Sequence, residues 1–182
     1  MISLPAGYFC TIECSITYAQ SRSKQQKERS NTKARVEERK SLRMRRSALK
    51  TKSQWTREAQ SAVNKYIRVR DRDLGCISCG SFPEAKRGGT MDAGHYRSRG
   101  AAAHLRFNTW NISGQCVRCN RYLSGSAIDY RLGLIKRIGI ERVEKLEQDH
   151  TTRRFTIEYL ERIKQIFNKR SRHLAKLRGY DV

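Results

Sequence analysis

Apolar residues in the C-terminal third of the chain recur at helical spacing. Ile128, Leu132, Ile135 and Ile138 form one such run, and Gly139 is placed to end it. Ile140, Val143 and Leu146 continue as a second short amphipathic run. Thr156 then opens a longer helix with Ile157, Leu160, Ile163, Ile166 and Phe167 on one side, a stripe that Leu174 and Leu177 extend. These stripes read as packing faces with basic residues turned outward. Upstream, Ser53 is placed to cap a helix whose apolar side carries Ala59, Ala62, Val63, Tyr66, Ile67 and the stem of Arg70. From Leu74 to about Ser124 the periodicity gives way to a Gly-rich, irregular stretch with short β-like pieces, which builds little core by burial alone. Residues 20–52 carry thirteen Lys/Arg and three Glu with almost no apolar stripe, and read as a solvated helix or as a disordered tail. The expected class is α+β. It comprises an N-terminal segment (1–20), a basic arm (21–52), a small core (53–127) and a helical region (128–182).

Charge sharpens this picture. The 182 residues hold 39 Lys and Arg against 17 Asp and Glu, a formal net charge of +22. Such an excess points to a polyanionic partner, because each cationic contact to a phosphate releases condensed counterions. Nucleic acid leads. A membrane is not expected as a partner, since no apolar run is long enough to span or anchor. The start Met1-Ile2-Ser3-Leu4-Pro5 lacks a basic region followed by an apolar segment, so the expectation is a cytoplasmic protein rather than an exported one.

Six cysteines fall as three pairs: Cys10/Cys14, Cys76/Cys79 and Cys116/Cys119. The last two pairs are C-x-x-C. In a chain without an export signal, two such units read as a four-thiolate zinc site before they read as disulfides or free thiols. A two-residue turn puts both sulfurs of a pair on one side of a knuckle, and two facing knuckles complete a tetrahedron. Cys10 and Cys14 are half of such a site, and two thiolates from one chain do not close it.

A plain zinc ribbon carries turn and strand residues between its knuckles. This chain carries Asp92, His95 and Asn111 there, with Asn120 directly after Cys119. Hydrolysing a phosphodiester needs an activated water, neutralisation of the transition-state charge and stabilisation of the departing 3′ oxygen. A neutral imidazole can take the proton near physiological pH, and a divalent cation can supply the Lewis acid. Oxygen ligands such as Asp and Asn suit Mg²⁺, whereas thiolates suit Zn²⁺.

The order C-x-x-C, D-x-x-H, N, C-x-x-C-N resembles the His-Asn-His, or ββα-metal, nucleases. From about residue 53 to 178 the chain more closely resembles the NinG/Rap family of lambdoid phage recombination proteins. Arg70-Asp71-Arg72-Asp73-Leu74, Asp92-Ala93-Gly94-His95-Tyr96 and Leu105-Arg106-Phe107-Asn108 carry much of the likeness. The resemblance implies cleavage of branched DNA, such as Holliday junctions and displacement loops, in the cytoplasm of a phage host. It also implies a zinc-stapled ββα-metal core. It gives His95 the part of general base, Asn111 that of ordering the loop between two short strands, and Asn120 that of a ligand to catalytic Mg²⁺ or Mn²⁺. Asp92 is the remaining candidate ligand. Here the chain departs from the pattern, because many relatives place that ligand immediately before the base, where this chain has Gly94. Cys76, Cys79, Cys116 and Cys119 would hold structural zinc, and Arg97, Arg99 and Arg106 are candidate phosphate contacts.

Other readings stay open at this level. His95 can be a structural histidine or a stray zinc ligand, Asp92 a cap, and Asn120 the cap of a following helix. The main rival to an enzyme is a non-catalytic module that binds branched DNA and recruits other recombination factors. An RNA-binding zinc protein has less support, since no aromatic stacking motif stands out. A homodimer suits paired cuts at a symmetric junction, but nothing in the sequence requires one.

Overall fold

A computed structural model describes residues 2–4, 7–82 and 91–180; Met1, residues 5–6, residues 83–90 and residues 181–182 lie outside the described residues, including part of the predicted irregular stretch. The chain divides into two compact units, Met1–Lys50 and Thr51–Val182.

In the first unit two short strands, β1 (Ile2–Leu4) and β2 (Gly7–Phe9), pair antiparallel, and a single helix, α1 (Ile12–Ala48), follows. Thr11 caps it, its hydroxyl accepting from the Cys14 N–H at 3.2 Å. The arm is therefore a helix. Its 37 residues contain no Gly or Pro and are rich in Lys, Arg, Gln and Glu, which lose little rotamer freedom in a helix. None of its residues is buried, and at 1.5 Å per residue it is about 55 Å long.

The second unit begins with α2 (Lys52–Arg70). The cap is Thr51 rather than Ser53, because Thr51 and Gln54 form a reciprocal capping box, which satisfies two helix-end groups where Ser53 offers one. Trp55, Ala59, Ala62, Val63 and Ile67 line its buried side. They pack against Leu160 and Phe167 of α5 (Ile157–Leu177), which Thr156 caps as expected, and against Phe107 and Ile112. Full burial of each large aliphatic contributes roughly 1.5–3 kcal/mol.

Strands β3 (Met91–His95) and β4 (Ile112–Cys116) form a two-stranded antiparallel hairpin in which His95 pairs with Ile112 and Asp92 with Gln115. Two further helices, α3 (Ala127–Ile138) and α4 (Ile140–Gln148), cover the first knuckle through Ile77, Leu105, Tyr130, Leu134, Val143 and Leu146. Gly139 ends α3 at φ +85°, a conformation that favours glycine. The expected face of α3 is only partly the buried one. Ile128 and Leu132 are 79% and 54% exposed, and the buried positions are Tyr130 and Leu134. Two contacts turn the helix this way. The Tyr130 hydroxyl donates to the Gly94 carbonyl at 2.8 Å, and at Gly133 a Cβ would lie 1.9 Å from the Ile77 carbonyl oxygen, so α3 sits directly on the knuckle backbone. Asp71 staples the elements together. Buried at the end of α2, it accepts from the Gly114 N–H of β4 at 2.7 Å, from both arms of Arg70, and from Arg137 of α3. Among the described residues no helix is long and apolar enough to cross a membrane.

Candidate metal centre and adjoining cleft

The two C-x-x-C turns meet at the end of the β3–β4 hairpin. The first is tied to β4 by the Ile77 N–H donating to the Gly114 carbonyl at 2.9 Å, and Cys116 is the last residue of that strand. The sulfurs of Cys76, Cys79, Cys116 and Cys119 all lie within 4.8 Å of one another. Sulfurs at the corners of a zinc tetrahedron with ~2.3 Å bonds stand about 3.8 Å apart. The Cys79–Cys116 separation is 3.9 Å, far beyond a disulfide bond, so the donor set fits zinc. The Cys116 N–H points at the Cys76 sulfur (3.3 Å) and the Cys119 N–H at the Cys116 sulfur (3.4 Å). Among the described residues no other group of three or more His, Cys, Asp or Glu is placed to hold a metal ion. Cys10 and Cys14 are exposed, with sulfurs 2.8 Å apart, and remain a pair without further cysteines.

His95 closes β3. Its Nε2 lies 3.2 Å from the Arg106 carbonyl oxygen, which accepts only if Nε2 carries the proton. That tautomer leaves the Nδ1 lone pair available. Burial, helped by the Arg99 and Arg106 charges, lowers the imidazole pKa to about 4, so the ring is neutral near pH 7.

Asp92 lies on the same strand. Its carboxylate accepts from Arg121 through both oxygens (2.8 and 2.9 Å) and from the Asn120 amide at 2.8 Å. Arg121, then burial in opposition, then Asn120 set its acidity, and the net effect keeps the carboxyl below its usual range and ionised. Asn120 and Arg121 belong to a single wide helical turn, Arg118–Tyr122, that begins inside the second knuckle and includes Cys119. Because the Asn120 nitrogen faces Asp92, its amide oxygen is left as a donor to a cation. Asp92 and Asn120 are thus oxygen donors of the kind that could hold Mg²⁺ or Mn²⁺. The Arg121 guanidinium now neutralises Asp92, and its side chain is 62% exposed.

The hairpin also accounts for Gly94. A Cβ there would come within 2.3 Å of the Gln115 side-chain oxygen. Gln115 is buried and fixed, its amide donating to the Ser78 hydroxyl (2.8 Å) and the Gly125 carbonyl (2.7 Å). A side chain beside the histidine is excluded by packing, so the available acid is Asp92.

Asn111 is fully buried. Its Oδ1 accepts from the Arg97 N–H at 2.8 Å, and its Nδ2 donates to the carbonyls of Arg97 (3.0 Å) and Leu105 (3.4 Å). It pins both ends of the 97–105 loop, next to the Arg106 carbonyl that holds His95. Arg97 is engaged elsewhere: its guanidinium donates to the carbonyls of Leu146, Glu147 and Asp149 at the end of α4, where a cation suits the helix dipole. All three of these bonds come from its Nη1. Arg99 is exposed and Arg106 half-buried beside His95.

His95, Asp92 and Asn120 open onto one cleft of about 390 Å³, together with Arg68, Arg99 and Arg121. Sequence reasoning did not single out Arg68, or Asn64 one turn before it. Both lie on the polar side of α2, and only the packing of that helix beside β3 brings them to the cleft. Arg121 had a local signal, its place directly after Asn120.

A family model described as Bacteriophage Lambda NinG protein matches residues 5–177. "Protein ninG" of Escherichia phage lambda is 47% identical over 138 residues, covering 76% of this chain and 66% of that relative. The protein of the same name from Salmonella phage P22 is 46% identical over 138 residues, with the same coverage, 76% and 66%. The chain thus spans just under two thirds of the length of these curated relatives. No solved structure matches. With its cysteine cluster, hairpin and cleft lying inside a match that runs over nearly its whole length, the chain belongs to the NinG family.

Proposed function

We propose that this chain is a metal-dependent DNA endonuclease of the His-Asn-His class that cuts branched recombination intermediates. The carrying observation is His95: a neutral imidazole whose Nε2 faces the Arg106 carbonyl and that opens on a cationic cleft shared with Asp92 and Asn120. A structural histidine has no need of such neighbours. Strand β3, strand β4 and the helical turn at Arg118–Tyr122 follow one another in ββα order, which supports an HNH-like core.

In this reading Nδ1 of His95 accepts the proton of the attacking water, and the Arg106 carbonyl holds the resulting imidazolium through Nε2. Arg68 and Arg99 attract and orient the strand, since phosphate contacts position a nucleic acid without reading it. Asp92 and Asn120 are the residues that would hold Mg²⁺ or Mn²⁺, which would require Arg121 to release Asp92. The cation, when bound, supplies charge neutralisation at the phosphate and at the departing oxygen. The four cysteines would hold zinc in a purely structural part.

A second reading, a branched-DNA-binding factor without chemistry, draws on the Arg121–Asp92 pair, which leaves the acid already neutralised. A nicking assay on synthetic branched and linear duplexes separates the two. The nuclease reading expects strand breaks that require added Mg²⁺ or Mn²⁺ and favour branched substrates. Tight binding with no breaks under either cation would leave the binding factor.

A further inference from the structure

The turn that holds His95 through the Arg106 carbonyl also lines a second cleft, of about 230 Å³, through Phe107 and Asn108. Its apolar part is aromatic. Phe107 meets Phe155 edge-on, with ring centres 5.0 Å apart, and Phe155 stacks on Tyr159 at 5.3 Å and 18°. The exposed Arg153 lies over this pair, its guanidinium carbon 4.6 Å from the Tyr159 ring centre and 5.5 Å from that of Phe155. The rim is polar, with Asn108, Asp149 and Thr151. Thr151 donates twice to Asp149, from its hydroxyl at 2.7 Å and its N–H at 3.0 Å, which keeps the carboxylate ionised and accepting.

A planar cation laid on stacked rings, beside a few donors and acceptors, is the chemistry that takes up a nucleobase. The volume is below the ~300–1,000 Å³ of pockets for drug-sized ligands, which suits a single base. A paired duplex hides its base faces in its own stack, whereas the bases at a branch point are free to leave it. We infer that this cleft holds one unpaired nucleobase of a DNA strand against the Arg153 guanidinium and the Tyr159 ring. The inference deepens the DNA-directed reading above and rests on it. It adds how a chain with a purely electrostatic grip would tell a branch from a continuous duplex.

The test is binding without chemistry. Fluorescence anisotropy of the full zinc-containing chain, with no other divalent cation added, compares a labelled oligothymidylate with a fully paired duplex. Arg153→Ala removes an exposed side chain, so its fold is safe. It should weaken oligothymidylate binding on the order of tenfold, the scale of one lost stacking partner, and leave duplex binding unchanged. Arg153→Lys keeps the charge and loses the plane, and should behave like Arg153→Ala. Equal losses on both probes, full rescue by lysine, or no loss at all would each overturn the inference. Should the chain nick branched DNA while Arg153→Ala binds both probes like the wild type, this inference fails and the nuclease reading stands. Should the base preference hold in a chain that never nicks, the reverse follows.

Discussion

Replacing Asn111 by Asp changes one amide nitrogen to oxygen and inverts two hydrogen bonds. The acceptor to the Arg97 N–H survives, while the contacts to the carbonyls of Arg97 (3.0 Å) and Leu105 (3.4 Å) become oxygen against oxygen. The site is fully buried, so no water compensates, and each unsatisfied group costs about 1–3 kcal/mol. The Leu105 contact is long and counts least, which sets the expected loss at ~2–4 kcal/mol. Against a typical total of about 5–15 kcal/mol, that leaves a folded but measurably weaker core. The urea midpoint, followed by far-ultraviolet circular dichroism with zinc content measured alongside, should drop without loss of metal. Burial is the chief cause of the low His95 pKa, so a 97–105 loop loosened enough to admit water should let it rise from about 4 toward the ordinary 6.5 in an NMR titration of the imidazole. An Asn111→Asp chain with an unchanged midpoint and an unmoved His95 titration would refute the idea that Asn111 orders this loop.

Metal analysis should find about one tightly held zinc per chain, and Cys79→Ser or Cys116→Ser should lose it together with thermal stability, because metal binding and folding are coupled. A folded, zinc-free wild type would contradict this. His95 also makes stability depend on pH. Its folded pKa of about 4 lies below the ordinary 6.5, so the unfolded chain binds the extra proton between those values. The contribution is complete above the unfolded value and is lost as pH falls toward the folded one. Urea midpoints should therefore fall with acid across that window, and fall less in His95→Gln. Deleting residues 1–50 should weaken binding to every DNA shape and flatten its salt dependence, by a slope of ~0.9 for each phosphate contact removed. An unchanged slope would mean that α1 does not touch DNA.

Much of the helical architecture could be read from spacing alone. Val143 and Leu146, and Leu160 and Phe167, lie inside as their periodicity indicates, because an amphipathic stripe has one way to leave water. The four cysteines were legible for a different reason: their spacing encodes a local turn, and the metal requirement supplies the long-range partner. What escaped depends on contacts between distant segments. Tyr130 replaces Ile128 on the buried side of α3 because its hydroxyl has an acceptor at Gly94, which no local pattern reveals. The steric reason for Gly94 lies in Gln115, on the partner strand. The bonds from Arg97 to the carbonyls at the end of α4 span some fifty residues of sequence, and no local pattern announces them. The helical state of α1 was an even choice at the sequence level, because a polar stretch with no apolar stripe satisfies both readings.

As a general base, His95 performs chemistry rather than holding the fold. Its most direct test is the single-turnover cleavage rate of a branched DNA by His95→Ala beside wild type, with zinc content and DNA affinity measured on the same samples. The rate should be lower by about 10²–10⁴, the scale of a lost general base, with zinc and affinity nearly intact and no rescue by excess Mg²⁺ or Mn²⁺. Cleavage by His95→Ala at the wild-type rate would contradict it.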